Sequence, residues 1–114
     1  MSLGSQSAPP DEVHQLIKEA ASKGIIILAA AGNDANDVNY PARYEEVIAV
    51  AALAPDTTIA GFTSRGPRGD GKIKPDIATQ GVGVICIQYN DTTKLTAANG
   101  TSLATPLMAG ISGL

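Results

Sequence analysis

The chain alternates between a stretch with helical spacing of apolar residues and several short, continuous apolar runs. Residues 9–24 carry apolar side chains at every third or fourth position, with acidic residues early in the stretch, which predicts an amphipathic helix. Pro10 suits the first helical position and Gly24 suits the end of the helix. The apolar positions are Val13, Leu16, Ile17 and Ala20.

Three apolar runs predict strands, and the first two are typical of strands buried on both faces. The runs are "IIILAAAG" at 25–32, "VIAVAAL" at 47–53 and "VGVICIQY" at 82–89. Cys86 lies in the third run, where we expect it to be a small buried hydrophobic residue. The remaining segments are a turn-rich stretch with short extended pieces at 58–81, a turn at 90–96 and a final helix at 101–114.

Apolar strands that alternate with helices indicate an α/β fold, with a mainly parallel sheet between flanking helices in three layers. A complete sheet of this kind needs more strands than the chain supplies, and the last helical pattern is interrupted at Leu114. We therefore expect residues 1–114 to form part of one larger domain. Binding residues in such sheets collect at the carboxyl ends of the strands, where Asn33 follows the first run.

Composition and charge exclude several classes of protein. Apolar residues make up 44% of the 114 positions, and the net charge of -3 comes with scattered basic residues, so neither a nucleic-acid footprint nor a membrane patch is expected. A single cysteine permits no intramolecular disulfide and no Cys/His metal cluster. Residues 1–10 lack the basic start and apolar core of a signal peptide, and residues 1–3 are also compatible with an origin in an expression vector.

Ser102 is the sharpest candidate for chemistry, and two interpretations of it stay open. It follows Gly100 and Thr101 at the predicted start of the last helix, where unpaired N–H groups and the helix dipole stabilise an oxyanion beside a serine hydroxyl. Small residues at Gly100 and Ala104 leave room for a substrate backbone. Alternatively, Ser102 is only a helix cap and Asn33 only a turn residue.

The order and content of five segments resemble motifs of the subtilisin-like serine proteases. "GTSLATPLMAG" at 100–110 resembles the family's nucleophile motif Gly-Thr-Ser-Met-Ala-x-Pro-His-Val-Ala-Gly, and "AAAGN" at 29–33 resembles its oxyanion motif Ala-Ala-Gly-Asn. Three more segments are similar to the family's patterns, and "SLG" at 2–4 matches a strand end that borders its specificity pocket. The three are "YPARYEEVIAVAA" at 40–52, "FTSRGP" at 62–67 and "KPDIATQGVGV" at 74–84.

The resemblance implies a role for each matching residue. Ser102 would attack the scissile carbonyl, and the Asn33 side-chain amide with the Ser102 N–H would form the oxyanion hole. Gly100 and Thr101 would contact the substrate, and the small residues of the specificity pocket imply that it admits a large apolar or aromatic side chain. The pocket residues are Ala30, Ala31 and Gly32 on one side and Ser2, Leu3 and Gly4 on the other.

The resemblance implies no required cofactor, but it does imply a weak calcium or monovalent-cation site of the kind found in some members of the family. The backbone carbonyls of Ala42, Tyr44 and Val47 match that site.

A serine nucleophile needs a base, and the only histidine does not fit that role. His14 lies within the predicted first helix, where we expect it to be solvated or half-buried. The family's triad order of Asp, His and Ser would place both partners before residue 1, so the chain resembles the C-terminal part of a catalytic domain and is expected to be inactive alone.

Two departures from the family keep a second class of function open. Leu107 stands where the family has His, and Gln80 stands where it has Pro. An inactive protease-like scaffold or peptide-binding module is therefore the alternative. A nucleotide-binding domain is disfavoured because the phosphate-binding glycine motifs are absent from the sequence.

The expected partners follow from both the resemblance and the incomplete fold. We expect peptide or protein substrates, and the missing N-terminal part of the same domain. Uncovered sheet edges and apolar faces also predict a homo-oligomer of the isolated chain. By analogy with the family, the parent protein is expected outside the cell or at its surface.

Overall fold

Two helices and five strands follow the predicted alternation of helical and extended segments. The computed structural model describes all residues from 1 to 114. In chain order the elements are α1 (Asp11–Ser22), β1 (Ile27–Ala30), β2 (Val47–Leu53), β3 (Ile77–Gln80), β4 (Val84–Gln88), β5 (Asp91–Ala98) and α2 (Thr101–Ser112).

The central sheet is parallel, with the strand order β1-β2-β3. Side chains of β2 alternate between two apolar clusters, because successive residues of a strand point to opposite faces. Val47 and Ala49 pack on one face with Ile17 of α1, and Val50 and Ala52 pack on the other with α2. The predicted three-layer α/β arrangement is therefore confirmed.

The helix boundaries agree with the sequence to within a residue or two. Pro10 has an extended conformation (ψ 149°) and lies just before the first helical residue of α1, instead of occupying that position as predicted. Gly24 ends the helix with a φ of +81°, a conformation that favours glycine. Pro106 lies inside α2, and since proline has no N–H, the Ser102 carbonyl receives no helical hydrogen bond from it.

The third apolar run does not form a buried strand. It forms β4, which pairs antiparallel with β5 in a separate two-stranded hairpin, and Ile85 and Ile87 on its outer face are 64% and 62% exposed. Cys86 is half-buried, so the expectation of full burial was wrong. The predicted turn at 90–96 was wrong as well, because the chain turns at residues 89–90 and then continues as β5.

Residues at the amino terminus extend the central sheet beyond β1. The Met1 carbonyl accepts a hydrogen bond of 3.0 Å from the Ala30 N–H, and the Met1 amino group donates to the Leu28 carbonyl. Ser5 then pairs with Tyr40 through two backbone hydrogen bonds of 2.8 and 2.9 Å. Residues 2–4 are thus held beside the carboxyl end of β1.

Neither helix has the length and apolar character needed to cross a membrane.

Candidate active site

The start of α2 and the carboxyl end of β1 are joined by a small network of hydrogen bonds. The Oδ1 atom of Asn33 accepts hydrogen bonds of 2.9 Å from both the backbone N–H and the hydroxyl of Thr101. The Thr101 hydroxyl also accepts one of 3.2 Å from the Gly32 N–H. Because both donors take the carbonyl oxygen of the Asn33 amide, its Nδ2 group is left free to donate elsewhere.

Ser102 is not the cap of its helix. The capping position is Gly100, no side chain makes a capping hydrogen bond, and the Ser102 hydroxyl has no hydrogen-bond partner within the chain. This geometry excludes the capping interpretation of Ser102. The Ser102 N–H lies in the first turn of α2, where the helix itself provides no acceptor.

Two N–H donors and the Ser102 hydroxyl border the same small space, which is open because residue 100 is a glycine. A Cβ atom on Gly100 would lie 2.9 Å from Ser102 Oγ, 3.6 Å from Asn33 Nδ2 and 3.7 Å from the Ser102 nitrogen. Gly100 also has a φ of +154°, which L side chains rarely adopt. A carbonyl group bound in this space would have its electrophilic carbon next to the Ser102 hydroxyl and its oxygen near both N–H donors.

A cleft of about 430 Å³ lies beside this space, and most of the predicted pocket residues line it. Ser2, Leu3 and Gly4 form one side, with Ala30 and Gly32 on the other, and Thr101 and Ser102 also contribute. Two predicted residues are placed differently. Ala31 is fully buried in the core beneath the sheet, and Gly100 lies next to the cleft without lining it.

The cleft is more polar than its small residues suggested. Asp34 and Asn39 line it, and Asn39 Nδ2 donates to Asp34 Oδ2 at 3.2 Å. Asp34 is the only charged side chain in the lining. The sequence interpretation missed both residues because it considered only the strand end before them. Their presence opposes the expectation of an apolar pocket, since an apolar substrate side chain would desolvate the Asp34 carboxylate without compensating it.

His14 is engaged at a different place on the molecule. Its Nε2 atom lies 3.2 Å from Glu46 Oε2, and its ring stacks on Tyr44 with centroids 3.7 Å apart. Partial burial acts to raise the pKa of Glu46, but hydrogen bonds from its own backbone and from His14 outweigh it and hold the pKa below its ordinary value. His14 is half-buried, as predicted, and it does not line the cleft of Ser102.

The three carbonyls predicted to bind a cation do not form a free set. The Val47 carbonyl accepts a hydrogen bond of 2.6 Å from the ammonium of Lys74, and the Tyr44 carbonyl accepts one of 3.3 Å from the Val47 N–H. Only the carbonyl of Ala42 has no hydrogen bond within the chain. No cluster of three or more His, Cys, Asp or Glu side chains offers a metal site elsewhere. These carbonyls therefore do not fit a metal ion.

Sequence comparison with known proteins identifies a family. The sequence profile described as "Subtilase family" matches residues 1–114. Serine protease AprX of Bacillus subtilis (strain 168) is 36% identical over 141 aligned positions, which cover 100% of this chain and 32% of that protein. Subtilisin Savinase of Lederbergia lenta is 36% identical over 115 positions, covering 100% of this chain and 39% of the relative. Halolysin of Haloferax mediterranei is 39% identical over 90 positions, covering 78% and 16%. The chain thus spans less than two fifths of each relative.

Proposed function

Since this chain belongs to the subtilase family, we propose that it is the nucleophile-bearing part of a serine endopeptidase. Ser102 Oγ attacks the carbonyl carbon of the scissile peptide bond, and its proton passes to a base. When the C–N bond breaks, the amine leaves with that proton and the acyl group stays on Ser102 as an ester. A water molecule then hydrolyses the ester.

One observation carries this proposal: Asn33 Nδ2, the Ser102 N–H and the Ser102 hydroxyl converge on the space in front of Gly100. The negative oxygen of the tetrahedral intermediate would lie between the two donors. Thr101 supports this role as a positioning residue, because its N–H and hydroxyl fix the orientation of the Asn33 amide. Donors that are oriented before the reaction need no reorganisation when the charge develops.

The base and the acid that orients it come from residues outside these 114 positions. His14 is held by Glu46 and Tyr44, and the sequence contains no other histidine. The isolated chain should therefore not turn over peptide substrates. Within the parent protein, the N-terminal part of the same domain completes the site, and no cofactor takes part in the steps above.

A chimera separates the chemistry of the site from the absence of the base. In the chimera, this chain replaces the matching region of serine protease AprX, which then supplies the remainder of the domain. The chimera should hydrolyse a chromogenic peptide, Ser102→Ala should abolish that rate, and the isolated chain should show none. A folded chimera without activity would contradict the enzyme proposal and favour an inactive scaffold. Turnover by the isolated chain that disappears in Ser102→Ala would contradict the need for an outside base.

The lining of the cleft favours peptide substrates with a polar or basic side chain at the position before the cleaved bond. Asp34 offers a carboxylate, and no basic residue of the lining neutralises it. The chimera should therefore prefer lysine over phenylalanine at this position. Asp34→Asn should reduce this preference for lysine about fivefold. That factor corresponds to about 1 kcal/mol, the upper end of what an exposed ion pair contributes. An unchanged preference in Asp34→Asn would contradict the assignment.

Two further proposals concern the oligomeric state of the isolated chain and the location of the parent protein. The isolated chain associates with itself, because apolar side chains stay uncovered on the outer face of the β4–β5 hairpin and on the outer face of α2. The parent protein acts on peptides outside the cell or at its surface, by analogy with the family. The exposed apolar side chains are Ile85, Ile87 and Leu95 on the hairpin and Leu107 and Ile111 on the helix.

A further inference from the structure

Lys74 is a buried lysine whose ammonium lies where the family resemblance implies a bound cation. Its side chain is 6% exposed, and its Nζ atom donates to the Val47 carbonyl and to Asp76 Oδ2, both at 2.6 Å. A charged group is rarely buried so deeply unless it is paired, and here it is both paired and hydrogen-bonded. The ammonium is therefore an integral part of this region and not a surface charge that happens to point inward.

The carboxylate of Asp76 ties the ammonium to the central sheet. Asp76 Oδ2 accepts a hydrogen bond of 2.7 Å from the Ala49 N–H, and the Asp76 N–H donates to the Ala49 carbonyl at 3.0 Å. The Lys74 ammonium thus links the first residue of β2 to the residues that lead into β3. A carbonyl oxygen and a carboxylate oxygen are also the ligand types that calcium and potassium ions take in proteins.

A second side-chain cation meets the same segment of backbone a few residues away. Arg68 donates to the Arg43 carbonyl at 2.6 Å and pairs with Asp70 at 2.7 Å. Lys74 and Arg68 are alike in two ways. Each donates to a backbone carbonyl of segment 42–47, and each pairs with an acidic residue two positions later in the sequence. Segment 66–76 therefore supplies positive charge to two backbone carbonyls of segment 42–47, those of Arg43 and Val47.

We propose that the Lys74 ammonium replaces the bound cation in this chain, so that segment 42–47 is held without calcium or a monovalent metal ion. A metal ion and the ammonium would compete for the same Val47 oxygen, and their like charges would repel each other. This role of Lys74 is independent of the chemistry at Ser102. Removing the side chain beyond Cβ should leave the Val47 carbonyl and the Asp76 carboxylate facing an empty space that takes an added cation.

Thermal unfolding of the chain and its variants tests the replacement directly. The unsubstituted chain should unfold at the same temperature in calcium chloride, potassium chloride, and choline chloride with a chelator, all at one ionic strength. Lys74→Ala should lower the unfolding midpoint by about 5–10 °C, because it removes the hydrogen bonds of the ammonium to the Val47 carbonyl and the Asp76 carboxylate. Calcium, potassium or propylammonium, which resembles the deleted part of the side chain, should restore part of this loss in a saturable way.

Two control variants make the outcome specific to the buried ammonium. Lys72→Ala removes an exposed lysine two residues away and should change neither the midpoint nor its cation dependence. Lys74→Met keeps the length of the side chain without its charge, and it should be destabilised without recovery by propylammonium, because the space stays filled.

Either of two results would overturn the proposal. One is a saturable rise in the unfolding temperature of the unsubstituted chain with calcium or potassium, beyond that seen with choline. This measurement tests the proposal even if Lys74→Ala does not fold. The other is a folded, destabilised Lys74→Ala that recovers with none of the three cations.

Discussion

Gly32 connects the end of β1 to the cleft, and an alanine at this position should destabilise the fold for two separate reasons. The φ angle of Gly32 is +118°, in the region that L side chains rarely adopt. The added Cβ would also lie 2.6 Å from Ser64 Oγ and 2.7 Å from Asn39 Nδ2. Both neighbours are buried and belong to the hydrogen-bonded loops around the cleft, so neither yields easily.

Each effect has a typical magnitude in proteins. A positive φ costs a non-glycine residue about 1–2 kcal/mol, and forced packing of extra atoms costs about 1–3 kcal/mol, so Gly32→Ala should lose about 2–5 kcal/mol of unfolding free energy. Gly71 is a matched control, because its φ is +83° but a Cβ there would meet no atom within 4 Å. Gly71→Ala should lose only the backbone part, about 1–2 kcal/mol.

Urea unfolding followed by circular dichroism measures this difference on the isolated chain, at a protein concentration low enough to limit association. Gly32→Ala should unfold at a lower urea concentration than Gly71→Ala. If the two variants lost the same unfolding free energy, the crowding at Gly32 would not contribute and the described packing around the cleft would be wrong.

In the chimera, Thr101→Val should lower kcat about tenfold with little change in KM, because the Asn33 amide loses its hydroxyl partner, and Thr101→Ser should retain most activity. Hydrogen bonds from the hydroxyl and N–H of Thr58 hold the pKa of Asp56 below its ordinary value, so Thr58→Val should raise that pKa in an NMR titration. Since this pKa is lower in the folded than in the unfolded chain, the stabilisation is present above the unfolded pKa and is lost as the pH falls through the folded value. Ile87→Lys should weaken self-association of the isolated chain in light scattering, and a monomeric unsubstituted chain at high concentration would contradict the proposed association.

The sequence predicted the elements with a buried apolar pattern and missed those without one. "VIAVAAL" became β2 with its predicted bounds, because a strand covered on both faces leaves a continuous apolar run. β5 was mistaken for a turn because it is an exposed hairpin strand. Its sequence is rich in threonine and charged residues and has no continuous apolar run. The same exposure explains why Cys86 in β4 is only half-buried.

Short motifs predicted the reacting residues, but only the folded chain reveals the contacts around them. Ser102 and Asn33 were identified from their flanking residues, and they lie together across the start of α2. The roles of Thr101 and Asn39 depend on hydrogen bonds between segments far apart in the chain. Lys74 was not considered at all, because a lone lysine in a turn-rich segment gives no sign that it is buried.

The central claim is that Ser102 is a nucleophile whose base lies outside this chain. Mass spectrometry after incubation with an activated acyl ester tests it most directly. The chimera with AprX should gain one acyl group, located on the peptide that contains Ser102, and neither the Ser102→Ala chimera nor the isolated chain should gain it. An acyl group on another residue of the chimera, or equally rapid acylation of Ser102 in the isolated chain, would contradict the claim.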